Sequence, residues 1–212
     1  MGRTSDADQR LKDAALALMW EESYGSVTID QICQRAEVKK GSFYYFFKSK
    51  SELAVAALEM LWTEQWKPKL DACFSSSVDP LTRLKNYFGN IYSLTVEIKA
   101  LHGKVLGCPV CTVGSEVSTQ EAEVSAKIRD ILSRKQKYYQ SAIRDAVALG
   151  EIEPCDPVAA SLGLFALLEG LVSQSRVMND PEVLRQLPAM ALGLLRVKPN
   201  TVSAAPEVAV NA

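Results

Sequence analysis

The sequence predicts an all-α fold, and three observations carry that reading. Apolar residues recur at helical spacing along most of the chain. No stretch shows the strict alternation of a half-buried strand, and no internal repeat is present. Asp156-Pro157 and Asp180-Pro181 each set a capping carboxylate before a proline suited to the first helical position. The count is about nine helices, three short ones in the first 50 residues and a larger helical body behind.

Residues 4–23 place Leu11, Ala14, Ala15, Leu18 and Met19 on one face, and Ser23-Tyr24-Gly25-Ser26 ends that helix. Thr28 caps a short helix to about Ala36. A break at Glu37-Val38 precedes a second short helix from Lys39. Ser49 or Ser51 then starts a longer helix with Leu53, Ala57, Leu58, Leu61 and Trp62 on one side; Pro68 bends it, and it ends near Phe74. A serine-rich loop leads to Pro80, first residue of a helix to about Ala100. Gly103, Gly107, Pro109 and Gly114 break the chain repeatedly. Residues 120–149 restore the period through Val124, Ile128, Ile131, Tyr138, Ala142 and Val147, up to Gly150. The helix over 157–178 is apolar across a wide arc, so it needs partners on two faces.

Composition narrows the function classes. The chain has 212 residues, 48% of them hydrophobic, with a formal net charge of −1. A polyanion-binding surface must therefore be local. No uninterrupted run of eighteen apolar residues appears, so nothing is expected to span a membrane and no membrane partner is expected. The polar start, Met1 to Arg10, does not read as a signal peptide. Five cysteines, an odd number, predict reduced thiols in a cytoplasm rather than a disulfide framework. One histidine, His102, and no phosphate-cradling glycine loop or Ser/His/Asp set argue against an enzyme. Glu116 with Cys108 is the one pair worth inspecting for catalysis. Cys108-x-x-Cys111 has zinc-like spacing, but no second pair follows, so the reading is no metal and no cofactor.

The local charge lies between residues 35 and 50. Arg35, Lys39, Lys40, Lys48 and Lys50 stand there against Glu37 alone, flanking five successive rings, Phe43 to Phe47. Two short helices joined by a tight turn, the second opening with lysines, make a helix-turn-helix pattern. By helical angle Phe43 and Phe47 face inward with Ile29, Ile32 and Val38, and Phe46 sits at the edge of that arc. Tyr44 and Tyr45 face out, able to offer a hydroxyl to a phosphate or a ring to a thymine methyl. Gly41 permits close approach of the backbone, and Ser42 is short enough to reach a base edge.

Thr28-Ile29-x-x-Ile32, then Ala36-x-Val38-x-Lys40-Gly41-Ser42-Phe43-Tyr44-Tyr45-Phe46-Phe47-x-x-Lys50-x-x-Leu53, resembles the DNA-binding motif of TetR-type bacterial transcriptional regulators. The resemblance implies DNA-backbone contacts from Thr28, Tyr44 and Lys48, and groove-facing roles for Lys39, Lys40, Ser42 and Tyr45. It divides the chain into a DNA-binding domain over 1–50, an effector-binding and dimerisation domain over 51–198, and a disordered tail over 199–212. Four positions depart from the pattern: Ser23 and Glu37 where glycine is usual, Cys33 for alanine, and Phe46 for histidine. Glu37 should strain the turn.

The same resemblance implies a homodimer in a cytoplasm, bound to a palindromic operator on double-stranded DNA and released by a small-molecule effector. The expected interface is Leu164, Leu168, Leu171, Leu184, Leu187 and Leu194. Effector candidates are Phe88, Tyr92, His102, Cys108, Cys111, Glu116, Tyr138, Phe165 and Glu169. The segment Gly107 to Glu116 resembles a Gly-Cys…Glu stretch in a subgroup whose members respond to small carboxylates or reactive carbonyl compounds. Three readings of it stay open: a packing turn, a pocket wall, and a thiol sensor built on Cys108 and Cys111.

Overall fold

The computed structural model describes residues 2–117 and 119–198. Counting the interrupted fourth helix as one rod, nine helices run through the described residues, with two residues (Ile152 and Val197) in an isolated bridge and no strand. The expectation for the 199–212 tail lies outside the described residues.

α1 (Gly2–Glu21) buries Leu11, Ala14, Ala15, Leu18 and Met19 against α2 (Ile29–Arg35), α3 (Lys40–Phe46) and α4 (Lys50–Met60). Thr28 caps α2: its hydroxyl accepts from the Gln31 N–H at 3.2 Å, and the Gln31 side chain accepts from the Thr28 N–H at 2.8 Å. Glu37 takes a left-handed backbone with φ of 53°, the conformation that makes glycine usual at this turn. Arg10 of α1 steadies the turn by donating to the carbonyl of Ala36 at 3.0 Å.

Ser49, not Ser51, caps α4, accepting from the Glu52 N–H at 3.0 Å. α4 continues through a π-helical segment (Leu61–Trp66) into α5 (Lys67–Cys73). Pro68 lacks an N–H, and the wider π turn just before it lets the rod continue with the Lys67 N–H bonded to the Trp62 carbonyl. The sequence signalled a bend here; the irregularity takes the form of this π segment.

α6 (Pro80–His102) starts at Asp79, which accepts from the Thr82 N–H at 2.8 Å, and ends at Gly103 with φ of 71°. The expected repeated break beyond it is a helix instead, α7 (Pro109–Val117). Gly114 lies inside α7, where a Cβ would sit 3.1 Å from Ile128 Cγ2, so the glycine serves close packing on α8 rather than a turn. α8 (Ala122–Ala148) buries Val124, Ile128, Ile131, Tyr139, Ala142 and Ile143. Tyr139, not Tyr138, is the core tyrosine.

α9 (Pro157–Met178) is capped by Asp156 as expected and ends at Asn179, φ 50°. Asp180 caps only a 3₁₀ turn (Pro181–Leu184), and the last helix, α10 (Leu187–Leu194), starts afresh. Leu164, Leu168, Leu184 and Leu187 are each 1% exposed or less. They are the subunit's own core, a correction to their place in the expected interface. Apolar side chains left outside on these two helices include Val158 and Leu162 on α9, 60% and 58% exposed, Val177 and Met178 at its end, and Met190 and Leu194 on α10.

Candidate nucleic-acid interface and effector cavity

The helix-turn-helix presents the face the sequence predicted. Phe43 and Phe47 are buried with Ile32 and Val38, whereas Tyr44 and Tyr45 are 53% and 75% exposed. Lys39, Lys40, Gly41, Lys48 and Thr28 are exposed beside them, with Ser42 half-buried. A Cβ on Gly41 would meet no atom within 4 Å, so nothing inside the protein requires a glycine there.

The local charge excess is smaller than the sequence suggested. Lys50 directs its ammonium to the carbonyls of Tyr24 (2.8 Å) and Val27 (2.9 Å) and lies over the Tyr24 ring. It pins α4 to the loop between α1 and α2. Arg35 pairs with Glu21 at 3.5 Å, and Lys40 with Asp30 at 2.7 Å. Lys39 and Lys48 form no ion pair among the described residues.

Behind this module lies a cavity of about 540 Å³ between α7 and α9, lined by Cys108, Cys111, Thr112, Ser115, Glu169 and Arg176 among others. It unites Cys108, Cys111 and Glu169, three of the expected effector residues. Cys108 caps the start of α7, where its sulfur accepts from the Cys111 N–H at 3.5 Å. Its thiol is pulled below the ordinary range, first by the hydrogen bond from the Cys111 thiol and against the effect of burial, with help from the Lys135 charge. That same bond, with burial, pushes the Cys111 thiol up.

Lys135 is buried among the rings of Trp66, Phe165 and Tyr87, its ammonium 5.2, 5.5 and 5.9 Å from their centroids. It lies 3.7 Å from Glu169. Burial opposes its charge, yet Tyr87, Cys108 and Glu169 hold its pKa above the ordinary lysine value. Arg176 donates to the Thr112 hydroxyl at 3.0 Å and forms no ion pair among the described residues. Sequence reading passed over both cations. The signal for Lys135 was a lysine four residues from Ile131 and from Tyr139, inside the apolar stripe of α8. For Arg176 it was a basic residue near the end of the apolar α9.

The other candidates lie elsewhere. Phe88 is fully buried against Tyr87 and Tyr139. Tyr92 donates to Glu182 at 2.6 Å, tying α6 to the 3₁₀ turn. Tyr138 donates to Asp71 at 2.5 Å; burial, and then that bond, pushes its pKa up to about 12. Phe165 does not line the cavity; its ring lies 5.5 Å from the Lys135 ammonium. His102 ends α6 beside Trp20 and lies 3.8 Å from Glu21. Glu116 points away from the cavity, accepting the N–H groups of Tyr24 at 2.9 Å and Gly25 at 2.6 Å. Trp20 and Glu21 reinforce the junction: the indole donates to the Gly107 carbonyl at 2.9 Å, and Lys104 donates to the Glu21 carbonyl at 3.0 Å.

A helix-turn-helix with exposed tyrosines, set on a helical body with a cavity, is the build of a ligand-responsive DNA-binding regulator. Residues 11–57 match the family model described as "Bacterial regulatory proteins, tetR family". Residues 80–190 match the model described as "Tetracyclin repressor-like, C-terminal domain". The chain belongs to the TetR family of bacterial transcriptional regulators, which are not enzymes. It is 30% identical over 179 residues to the transcriptional regulator AcuR of Cereibacter sphaeroides, covering 84% of this chain and 80% of that one. The crystal structure of regulatory protein TetR from Rhodobacter sphaeroides superposes with a TM-score of 0.76 at 29% identity, over 87% of this chain and 96% of that one. Escherichia coli NemR in its reduced form shares the fold, with a TM-score of 0.76 at 20% identity over 90% and 98% of the two chains.

Proposed function

We propose that the protein is a homodimeric repressor that leaves a palindromic operator when a small organic anion enters the α7–α9 cavity. The observation that carries this is the double duty of α7. One side of the helix lines the cavity through Cys111, Thr112 and Ser115, and Glu116 near its end holds the Tyr24–Gly25 turn of the DNA-binding module. A ligand that shifts α7 therefore acts on that module through two hydrogen bonds. Arg176, a cation in the wall without an ion pair among the described residues, supports an anionic ligand.

Residues 1–50 serve as the reading domain and 51–198 as the effector and dimerisation domain. Thr28, Tyr44 and Lys48 contact the DNA backbone; Lys39, Lys40, Ser42 and Tyr45 face the groove, with Gly41 allowing close approach. The exposed apolar side chains of α9 and α10 support pairing of two subunits through Leu162 and Leu194, which sets two reading helices about 34–36 Å apart. α9 alone among the described helices is long and apolar enough to cross a membrane by length and composition. Its packing on α8 and α10 and its Glu169 and Arg176 favour the helical body instead, in a cytoplasmic regulator. The test is binding to the protein's own promoter region. It should weaken steeply with salt, and the Tyr44→Ala, Lys48→Ala double variant should lose it while keeping its helical circular dichroism. Parent-like binding by that variant would sink the assignment.

A second reading is favoured by the lowered Cys108 thiol: electrophiles or oxidants act on Cys108 and release the operator. Equal release of the parent and Cys108→Ser by an alkylating electrophile would eliminate it.

A further inference from the structure

We propose that Cys108, Cys111 and Glu169 form a binding site for one thiophilic divalent cation of the zinc class, tying the start of α7 to the middle of α9. The sequence argued against a metal because Cys108-x-x-Cys111 had no second pair. The tertiary structure supplies the missing donor from α9, far along the chain. The two sulfurs and a carboxylate oxygen of Glu169 all lie within 4.8 Å of one another. A tetrahedral ion with bonds of about 2.3 Å to sulfur and about 2.1 Å to oxygen holds such donors roughly 3.5 Å apart. Side-chain rotation closes that difference, because Cys108 and Cys111 are already fixed on one helical turn.

Two further observations point to a ligand here. Glu169 Oε1 is buried without a hydrogen-bond partner, the Lys135 ammonium standing 3.7 Å from it. The donor set also faces the cavity, so an ion has an entry path and a fourth position open to water or to an effector. The charge balance fits as well. With Glu169 ionised, Lys135 protonated and both thiols protonated, the cluster is neutral. Uptake of a doubly charged ion with loss of two thiol protons leaves it neutral, and the Lys135 ammonium offsets the third negative charge. Two thiolates with one carboxylate select a zinc-like ion over magnesium or calcium, which prefer oxygen alone.

The site goes beyond the regulator reading, and its test does not involve DNA. The tag-free full-length chain is reduced, its free thiols counted, and the chain titrated with Co²⁺ as a spectroscopic stand-in for Zn²⁺. The expected result is one ion per subunit, with thiolate-to-cobalt charge transfer and the strong visible bands of a four-coordinate ion. Zn²⁺ should displace it, about two protons should leave per ion, and Zn²⁺ should raise Tm. Cys111→Ser should lose about half the charge-transfer intensity, and Cys111→Ser and Glu169→Gln should each bind at least about tenfold more weakly. Cys155→Ser, on an exposed cysteine, should bind as the parent does. A reduced parent with only the faint bands of hydrated cobalt overturns the proposal. So does undiminished binding in folded Cys111→Ser and Glu169→Gln together, which would place the ion elsewhere.

Discussion

The Gly25 N–H donates to Glu116 Oε1 at 2.6 Å, and a Cβ built at position 25 would lie 2.5 Å from that same oxygen. Only glycine permits this approach, and through it the cavity-lining helix holds the loop that precedes the helix-turn-helix. Gly25→Ala should push the carboxylate off both N–H groups. Glu116→Ala should remove the acceptor altogether and cost about 1–3 kcal/mol, because the Tyr24 N–H is partly buried. Both variants should lower Tm and show altered operator affinity measured by anisotropy. Parent-like affinity in both would show that this junction transmits nothing.

Gly41 offers a trade between stability and binding. It sits in the first turn of α3 with open space where a side chain would go. Alanine there should stabilise the fold by roughly 0.5–1 kcal/mol, since glycine loses more backbone entropy in a helix. The same methyl should hold the backbone off the DNA and weaken operator binding. Denaturant unfolding and operator titration on Gly41→Ala should move in opposite directions; tighter or unchanged binding would remove Gly41 from the interface.

Pairing through α9 and α10 rests on side chains the subunit leaves exposed. Leu162→Arg places a charge in the middle of that face, where a buried, unpartnered guanidinium is costly. Sedimentation should show monomers, with helical content unchanged and operator affinity sharply reduced. A dimer that survives this change uses a different face.

Glu151 carries a pH dependence. Burial, and then the neighbouring Asp79 carboxylate, push its pKa from the ordinary 4.5 up to about 7. An acid with a raised folded pKa contributes stability below its unfolded value and loses that contribution as pH climbs through the folded one. Tm should therefore fall between about pH 5 and 8, and Glu151→Gln should flatten that part of the profile. An identical slope in the variant would assign the effect to another group.

Much of the molecule was legible along the chain because its signals are local. Helical period located the elements, the caps at Thr28 and Asp156 and the proline at position 80 set starts, and ring angles sorted Phe43 and Phe47 from Tyr44 and Tyr45. The errors fell where distant segments compete. Gly114 reads as a breaker until Ile128 of α8 is seen against it. Lys50 reads as a DNA cation until its ammonium is seen donating to the carbonyls of Tyr24 and Val27.

By itself, then, the sequence determined the fold class, the reading helix and its outward tyrosines, since spacing within a few residues fixes which side of a helix is apolar. The tertiary structure decided which leucines are core and which are surface. It turned Glu116 toward the DNA module, and it joined Glu169, Lys135 and Arg176 to the cysteine pair. Those outcomes depend on which helices meet and at what distance, and no local spacing encodes that.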